Sequence, residues 1–320
     1  MKAFEYATAL STDSAQQMVA EHGEYLAGGN DLLGRLKDYL TDAGRLVNIK
    51  SLPGLSRIEK GNAHWTIGSL VTIAELEDNA DLGRKFPGLQ HAAAEIASQQ
   101  IRNVATVGGN LAQHSRCWYY RQRDTVCLKK HGDLCYARHG DNRYHSLFSG
   151  NTCISPVVSN LATMLAALDA TVVVQREGKP VRLTIAELYE RAWENPTAHN
   201  SLHNGDLILQ VEIPTVRPQS AYLQVSDKHE FDWALVSCAA AAKVSEGKLS
   251  QARVALGCIA PVPHQVQAVN AFLEGKALDE DTVTRAADMI LKGAQPLEFN
   301  GYKVPLAHAL IRRTLLKLKG

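Results

Sequence analysis

A two-part α+β fold is the architecture this sequence predicts, and three observations carry the prediction. Strand-like and helix-like segments follow one another irregularly, not as an evenly repeating βαβ array. Two prolines bracket a short polar link in Ile213-Pro214-Thr215-Val216-Arg217-Pro218, the composition of a domain boundary. The 320 residues, 45% of them apolar, are enough to bury two cores. Residues 1–216 therefore read as a first domain, with a polar, cysteine-bearing segment at about 114–158, and residues 217–320 as a second.

In the first domain, Glu24-Tyr25-Leu26-Ala27 reads as a short strand entering Gly28-Gly29. Leu32, Leu33, Leu36 and Leu40 then recur at helical spacing behind Asn30 or Asp31 as the capping residue, so the unit is strand, glycine turn, helix. Leu46 to Ile49 and Ala63 to Gly68 alternate as strands do. A helix is expected from Gly88 to Gln100, with Leu89, Ala92, Ala93, Ile96 and Ala97 on one face. A further helix, Leu161 to Leu168, leads to the strand Ala170 to Val174 and a turn at Glu177-Gly178-Lys179-Pro180. In the second domain, strands at Ala234 to Val244 and Gln251 to Ile259 are joined by Glu246-Gly247-Lys248. Helices follow at Val262 to Leu273, Glu280 to Leu291 and Pro305 to Leu316.

A formal net charge of +1 supplies no general field for nucleic acid or lipid headgroups. The N-terminal residues have no apolar run of a signal peptide, and no stretch of about 18 apolar residues occurs, so no membrane partner is expected and the chain reads as cytoplasmic. Export would have to be driven by a partner.

Two glycine turns and a cysteine set carry the chemistry. A helix N-terminus exposes unpaired backbone N–H groups, and glycine lets a phosphate approach them closely, so Ala27 to Leu33 is a candidate anion cradle. It lacks the lysine of a nucleotide-hydrolysing loop, so a phosphate held there would be structural. The second turn ends a β-branched strand in Asn103-Val104-Ala105-Thr106-Val107-Gly108-Gly109-Asn110-Leu111 and offers further N–H groups plus Thr106 and Asn110 side chains. Neither turn matches G-x-G-x-x-G, which disfavours the two-layer nicotinamide fold. Each is also readable as a plain chain-reversing turn.

Four of the six cysteines, Cys117, Cys127, Cys135 and Cys153, fall in one polar segment with the spacing C-x9-C-x7-C-x17-C. A segment of this kind is costly to order unless something staples it, and four thiolates around one metal centre would do so. Arg121, Arg123, Lys129, Lys130, Arg138 and Arg143 outnumber Asp124, Asp133 and Asp141 there, a surplus that offsets an anionic cluster. The spacing has neither the C-x2-C knuckle of many zinc sites nor the bacterial ferredoxin run, and does not choose between iron–sulfur, zinc and unligated thiols. His114, His131, His139 and His145 lie nearby as alternative ligands, although four cysteines suffice. Cys238 and Cys258 sit in apolar strands and read as buried small hydrophobes.

Tyr25-Leu26-Ala27-Gly28-Gly29-Asn30-Asp31-Leu32-Leu33 and Ile101 to Leu111 resemble the two FAD motifs of the flavoprotein (medium) subunits of molybdenum hydroxylases of the xanthine dehydrogenase type. The similarity continues through Ile208 to Pro214, Asp232 to Ser237, Val254 to Pro261 and Tyr302 to Ala307, and so spans nearly the whole chain. With its four cysteines, the insertion resembles the branch whose flavin subunit also holds a 4Fe-4S cluster, as in 4-hydroxybenzoyl-CoA reductase and periplasmic aldehyde oxidoreductase. The resemblance implies an FAD domain of the p-cresol methylhydroxylase (PCMH) and vanillyl-alcohol oxidase type, followed by a CO-dehydrogenase-flavoprotein-like C-terminal domain.

By motif position, Leu26, Ala27, Gly28, Gly29, Asn30, Asp31, Leu32 and Leu33, with Thr106, Gly108, Gly109 and Asn110, would hold the FAD diphosphate. Ile96 and Ser98 fall where the family places groups near the flavin ring. Cys117, Cys127, Cys135 and Cys153 would ligate the cluster. Two departures stand out. Asn160 replaces the acidic residue of Ser-Asp-Leu, and Leu223 and Gln224 follow Tyr222 where relatives often carry a lysine, leaving Lys228 as a displaced candidate. The implied role is electron transfer with no general base. The molybdenum cofactor would sit in a large partner subunit, 2Fe-2S clusters in a small one, and ferredoxin or a similar carrier would be the outer partner. A self-contained flavin oxidase and a zinc-stapled, flavin-free scaffold are the competing classes.

Overall fold

The computed structural model describes residues 1–20, 22–217, 219–228 and 231–319. Pro218, one of the two prolines at the expected boundary, lies outside the described residues. Three sheets are formed among those described. Strands β1 (Glu5–Thr8), β2 (Gly23–Leu26) and β3 (Arg45–Asn48) make a small parallel sheet in the order β1-β3-β2, with Tyr25 opposite Val47. Strands β4 (Ile58–Lys60), β5 (His64–Gly68), β6 (Thr171–Arg176), β7 (Lys179–Thr184) and β8 (Leu207–Pro214) form an antiparallel sheet ordered β4-β5-β8-β6-β7. In the third, β9 (Gln219–Ser226), β10 (Ala234–Ser245) and β11 (Lys248–Gly257) are antiparallel, with β10 in the middle.

The cores explain how these sheets stack. Val47, Ile49, Leu52, Leu55, Leu70 and Leu207 join the parallel sheet to the five-stranded one. Successive residues of β10 then point to opposite sides, as the pleat requires. Ala239 and Ala241 enter the first-domain core with Leu161, Met164 and Val172, whereas Cys238, Ala240 and Ala242 face the helices Gln267–Leu273, Glu280–Leu291 and Lys303–Leu316. The third sheet is thus a shared wall between two cores, and its run of alanines lets both sides approach closely. Cys238 in β10 is buried as expected; Cys258 is buried too but lies just past the end of β11 instead of in a strand, and burial pushes the two thiols up to about 12 and about 11.

Several expected elements differ. The helix expected over 88–100 is two, Pro87–Ala94 and Gln99–Arg102, because Ala97 adopts a left-handed φ of 44° between them. The β-branched stretch before the second glycine pair is not a strand. Only Thr106 bridges to Thr72, and Gly108-Gly109 forms part of the short helix Val107–Leu111. The helix expected from Val262 begins at Gln267. Residues 113–158 contain one helical turn, Trp118–Arg121, and two 3-10 turns, Leu128–Lys130 and Tyr136–Arg138. Leu147 and Phe148 pin this segment into the second core, their N–H groups donating to the Ile259 carbonyl at 2.8 and 3.0 Å.

Candidate functional site: a glycine cradle beside a cysteine cavity

The first glycine turn leaves the carboxyl end of β2 and enters the helix Leu32–Lys37. Gly29 has φ +74°, a conformation that only glycine adopts without strain. The N–H groups of Gly28, Gly29, Asn30, Asp31 and Leu32 have no hydrogen-bond acceptor among the described residues, so a row of donors stands ready for an anion. Against Gly28 lies the backbone that precedes the second turn: a Cβ added there would stand 2.0 Å from the Val104 carbonyl oxygen. The two glycine motifs therefore meet, and glycine is what permits it.

The second motif contributes differently from the expectation. Its amides are spent internally, Val107 N–H on Val71 O, Gly108 N–H on Ser69 O, Gly109 N–H on Thr106 Oγ1 and Asn110 N–H on Thr106 O. What remains is the Asn110 side chain, whose Oδ1 accepts from Ser159 Oγ at 2.6 Å while its Nδ2 has no partner among the described residues. Beside it, Asn160 Nδ2 donates to Gln224 Oε1 at 3.0 Å, and Gln224 Nε2 donates to Glu95 Oε2 at 3.1 Å. Asn160 and Gln224, both singled out in the sequence, are thus hydrogen-bonded to each other. Ile96 and Ser98 flank Ala97, and Arg102 clamps this bend by donating to the Ile96 and Ala97 carbonyls while pairing with Glu77. Lys228 is exposed and makes no ion pair or hydrogen bond among the described residues.

Asp31 does not cap its helix. Its carboxylate accepts instead from Arg121 (2.7 Å) and the His114 N–H (3.2 Å) and pairs with Arg116 at 2.9 Å, with Arg35 Nε 3.2 Å away. Burial opposes its charge, but Arg116, Arg121 and Arg35 outweigh that and hold the carboxyl below its ordinary value. Sequence reasoning placed Asp31 in the cradle and missed this hub, because Arg121 and His114 lie 90 and 83 positions along the chain.

The four cysteines of the insertion line one small cavity, together with Tyr119, Tyr120, Lys129, Tyr136 and His145. All are free thiols, and among the described residues no three His, Cys, Asp or Glu side chains are grouped as a bound metal ion requires. Burial pushes the Cys117 thiol up to about 12, against the Tyr119 and Tyr120 backbone N–H groups that favour its thiolate. Cys153 is likewise raised by burial, while Lys129 and the Ser155 N–H pull the other way. Lys129 is the unexpected member. It is 9% exposed, its Nζ donates to the Ala198 carbonyl at 2.8 Å, and it has no carboxylate partner among the described residues. Burial lowers its pKa, and the groups that oppose this are Cys153, Cys117, Cys127 and Cys135.

The chain thus sets a glycine cradle on a parallel three-stranded sheet, with an antiparallel sheet behind it and a second unit whose antiparallel sheet packs on helices. The chain matches the family described as "FAD binding domain in molybdopterin dehydrogenase" over residues 2–216 and "CO dehydrogenase flavoprotein C-terminal domain" over 220–318. It belongs to the FAD-binding medium subunits of the molybdenum hydroxylases, which are parts of oxidoreductases. It is 31% identical to the aldehyde oxidoreductase FAD-binding subunit PaoB of Escherichia coli (strain K12), covering 100% of this chain and 99% of that one. The carbon monoxide dehydrogenase medium chain of Hydrogenophaga pseudoflava is 25% identical, over 98% of this chain and 96% of its own. Among solved structures, the Cu,Mo-CO dehydrogenase shares the fold with a TM-score of 0.78 at 21% identity, covering 99% of this chain and 98% of that one. Among the described residues no helix is long and apolar enough to cross a membrane.

Proposed function

We propose that this chain is the electron-transfer subunit of a multi-subunit molybdenum hydroxylase, holding FAD in the cradle and a 4Fe-4S cluster on Cys117, Cys127, Cys135 and Cys153. Residues 1–216 form the flavin domain, with the cluster segment at 114–158, and 217–320 form the second domain. The five free amides of 28–32 and the Nδ2 of Asn110 suit a diphosphate, with Ile96 and Ser98 towards the flavin ring. FAD, when bound, takes up or releases electrons singly or in pairs, which lets it join one-electron centres to a two-electron reaction.

The single observation that carries the cluster is Lys129. A buried ammonium that meets one carbonyl and no carboxylate among the described residues is unfavourable unless an anion lies near it, and the groups available are the four cysteines around it. Thiolate ligands of an anionic cluster answer that need. Cys117, Cys127, Cys135 and Cys153, which line one cavity, would hold it, each supplying one thiolate. Electrons would run between a large molybdenum subunit, a small 2Fe-2S subunit and an outer carrier of the ferredoxin type.

The visible spectrum of the anaerobically purified chain tests this. Flavin bands in the blue riding on broad brown absorption, both bleached by dithionite, are expected. A yellow protein with no brown component would remove the cluster, and a colourless zinc protein would remove both cofactors.

A further inference from the structure

We propose that His145 is a positioning residue for the cluster, donating from Nε2 to the sulfur of Cys117 and thereby raising the reduction potential of the iron site. The proposal rests on the cluster reading above. His145 is 2% exposed, and its Nε2 lies 3.2 Å from Cys117 Sγ. Among the described residues that is the only polar contact of the ring, and Nδ1 is buried without a partner there. The ring is held in place from other directions. Its backbone N–H donates to Asn142 O at 2.9 Å, its carbonyl accepts from Asn300 Nδ2 at 3.3 Å, and Trp118 packs edge-on at 5.9 Å between centroids.

The direction of the hydrogen bond follows from the chemistry of the sulfur. A cysteine bound to iron is a thiolate and can only accept, so Nε2 carries the proton and Nδ1 keeps a lone pair. A buried lone pair without a donor costs less than a buried N–H without an acceptor, so this tautomer also suits the empty side of the ring. Donation from His145 to the Cys117 sulfur would favour the more negative, reduced state of a bound cluster. The potential therefore rises relative to a cluster lacking the donor.

Cys117 also differs from the other three ligands in place. It and His145 line both the cysteine cavity and a neighbouring pocket of about 190 Å³ walled by Arg116, Trp118, Tyr144 and Trp233. Cys127, Cys135 and Cys153 do not line that second pocket. The hydrogen bond thus falls on the ligand that separates the cluster from the adjoining aromatic space.

The test uses the full chain purified anaerobically, with iron and sulfide content and an EPR-monitored redox titration as readouts. His145→Phe keeps the ring and removes the donor, and His145→Gln returns an N–H near the Nε2 position. Expected are iron contents equal to the parent in both variants, a lower midpoint potential in His145→Phe, and partial recovery in His145→Gln. An unchanged midpoint in His145→Phe overturns the proposal, as does loss of iron in both variants, which would make His145 a ligand or a structural residue. An iron-free parent protein overturns the cluster reading itself, and this inference with it. Pulsed EPR on the reduced parent protein gives a check that needs no variant: a weak coupling to an imidazole nitrogen is expected, and its absence or a strong, directly bonded coupling refutes the hydrogen bond.

Discussion

Arg121 donates from Nη2 to Asp31 Oδ1 at 2.7 Å, and this bond ties the glycine cradle to the segment that begins at Cys117. Arg121 also donates from Nε to the Ser115 carbonyl at 2.7 Å, so one guanidinium fixes both the cradle and the backbone two residues before the first cysteine. Glycine cradle and cysteine cavity are therefore one mechanical unit, with Arg116 as a second brace on the same carboxylate.

Asp31→Asn removes the shared acceptor charge and leaves three largely buried guanidiniums without it. A loss of about 3 kcal/mol in stability is expected, the usual cost of breaking a buried pair from one side. The flavin-to-protein ratio should fall with it, as urea unfolding and flavin release on one preparation would register. Because the carboxyl is held below its ordinary value, its contribution is complete above the unfolded pKa and disappears as pH drops through the folded one. The acid limb of the stability profile should flatten in Asp31→Asn.

Gly28→Ala and Gly34→Ala separate the cradle from its helix. At Gly28 the new methyl meets the Val104 carbonyl, backbone that cannot swing away, whereas a Cβ at Gly34 meets nothing within 4 Å. Overpacking on the order of 2 kcal/mol or more and loss of FAD are expected for the first. For the second, a gain approaching about 1 kcal/mol follows from helix propensity. Equal behaviour of the two variants in a melting experiment with flavin quantification would contradict the close approach of the two motifs.

Lys129→Met gives opposite signs in the two metal states. In chelator-stripped protein the buried ammonium is gone, and stability should rise by on the order of 1 kcal/mol. In cluster-loaded protein the anionic centre loses its counter-charge, so iron should be lost faster and the midpoint potential should fall. Denaturation with and without chelator reads the first and the rate of iron release the second.

Lys303, wholly buried and donating to the Cys258 carbonyl at 3.0 Å, is pushed down to about 8 by burial. Between that value and its unfolded pKa the unfolded chain binds more protons, so stability should climb as pH is raised through this window. Lys303→Met should abolish the climb, and urea midpoints taken across alkaline pH decide it.

Much of this was legible in the sequence because it rests on local pattern. The strand, turn and helix around Gly28-Gly29 and two of the three strands of the second domain, β10 and β11, follow from spacing and glycine placement alone, whereas β9 was not foreseen. What was not legible depends on contacts far apart in the chain. Ala97 breaks the helix expected over 88–100 although alanine is a good helix former, since Arg102 holds the carbonyls of the bend. Asn103 to Val107 has strand-like residues yet finds a single bridge partner in Thr72, so tertiary context overrides propensity. Asp31 looks like a helix cap by position, but its acceptors are claimed by Arg116 and Arg121. Lys129 and His145 were two among many basic residues of the insertion until folding put them, alone of that set, on the wall of the cysteine cavity.

Quantifying iron, acid-labile sulfide and FAD together in one anaerobic preparation of the chain tests the central claim most directly. The account predicts about four irons and about one FAD per chain, from the four-thiolate ligation of such a cluster. Stoichiometric zinc in place of iron, or flavin with neither metal, would contradict it.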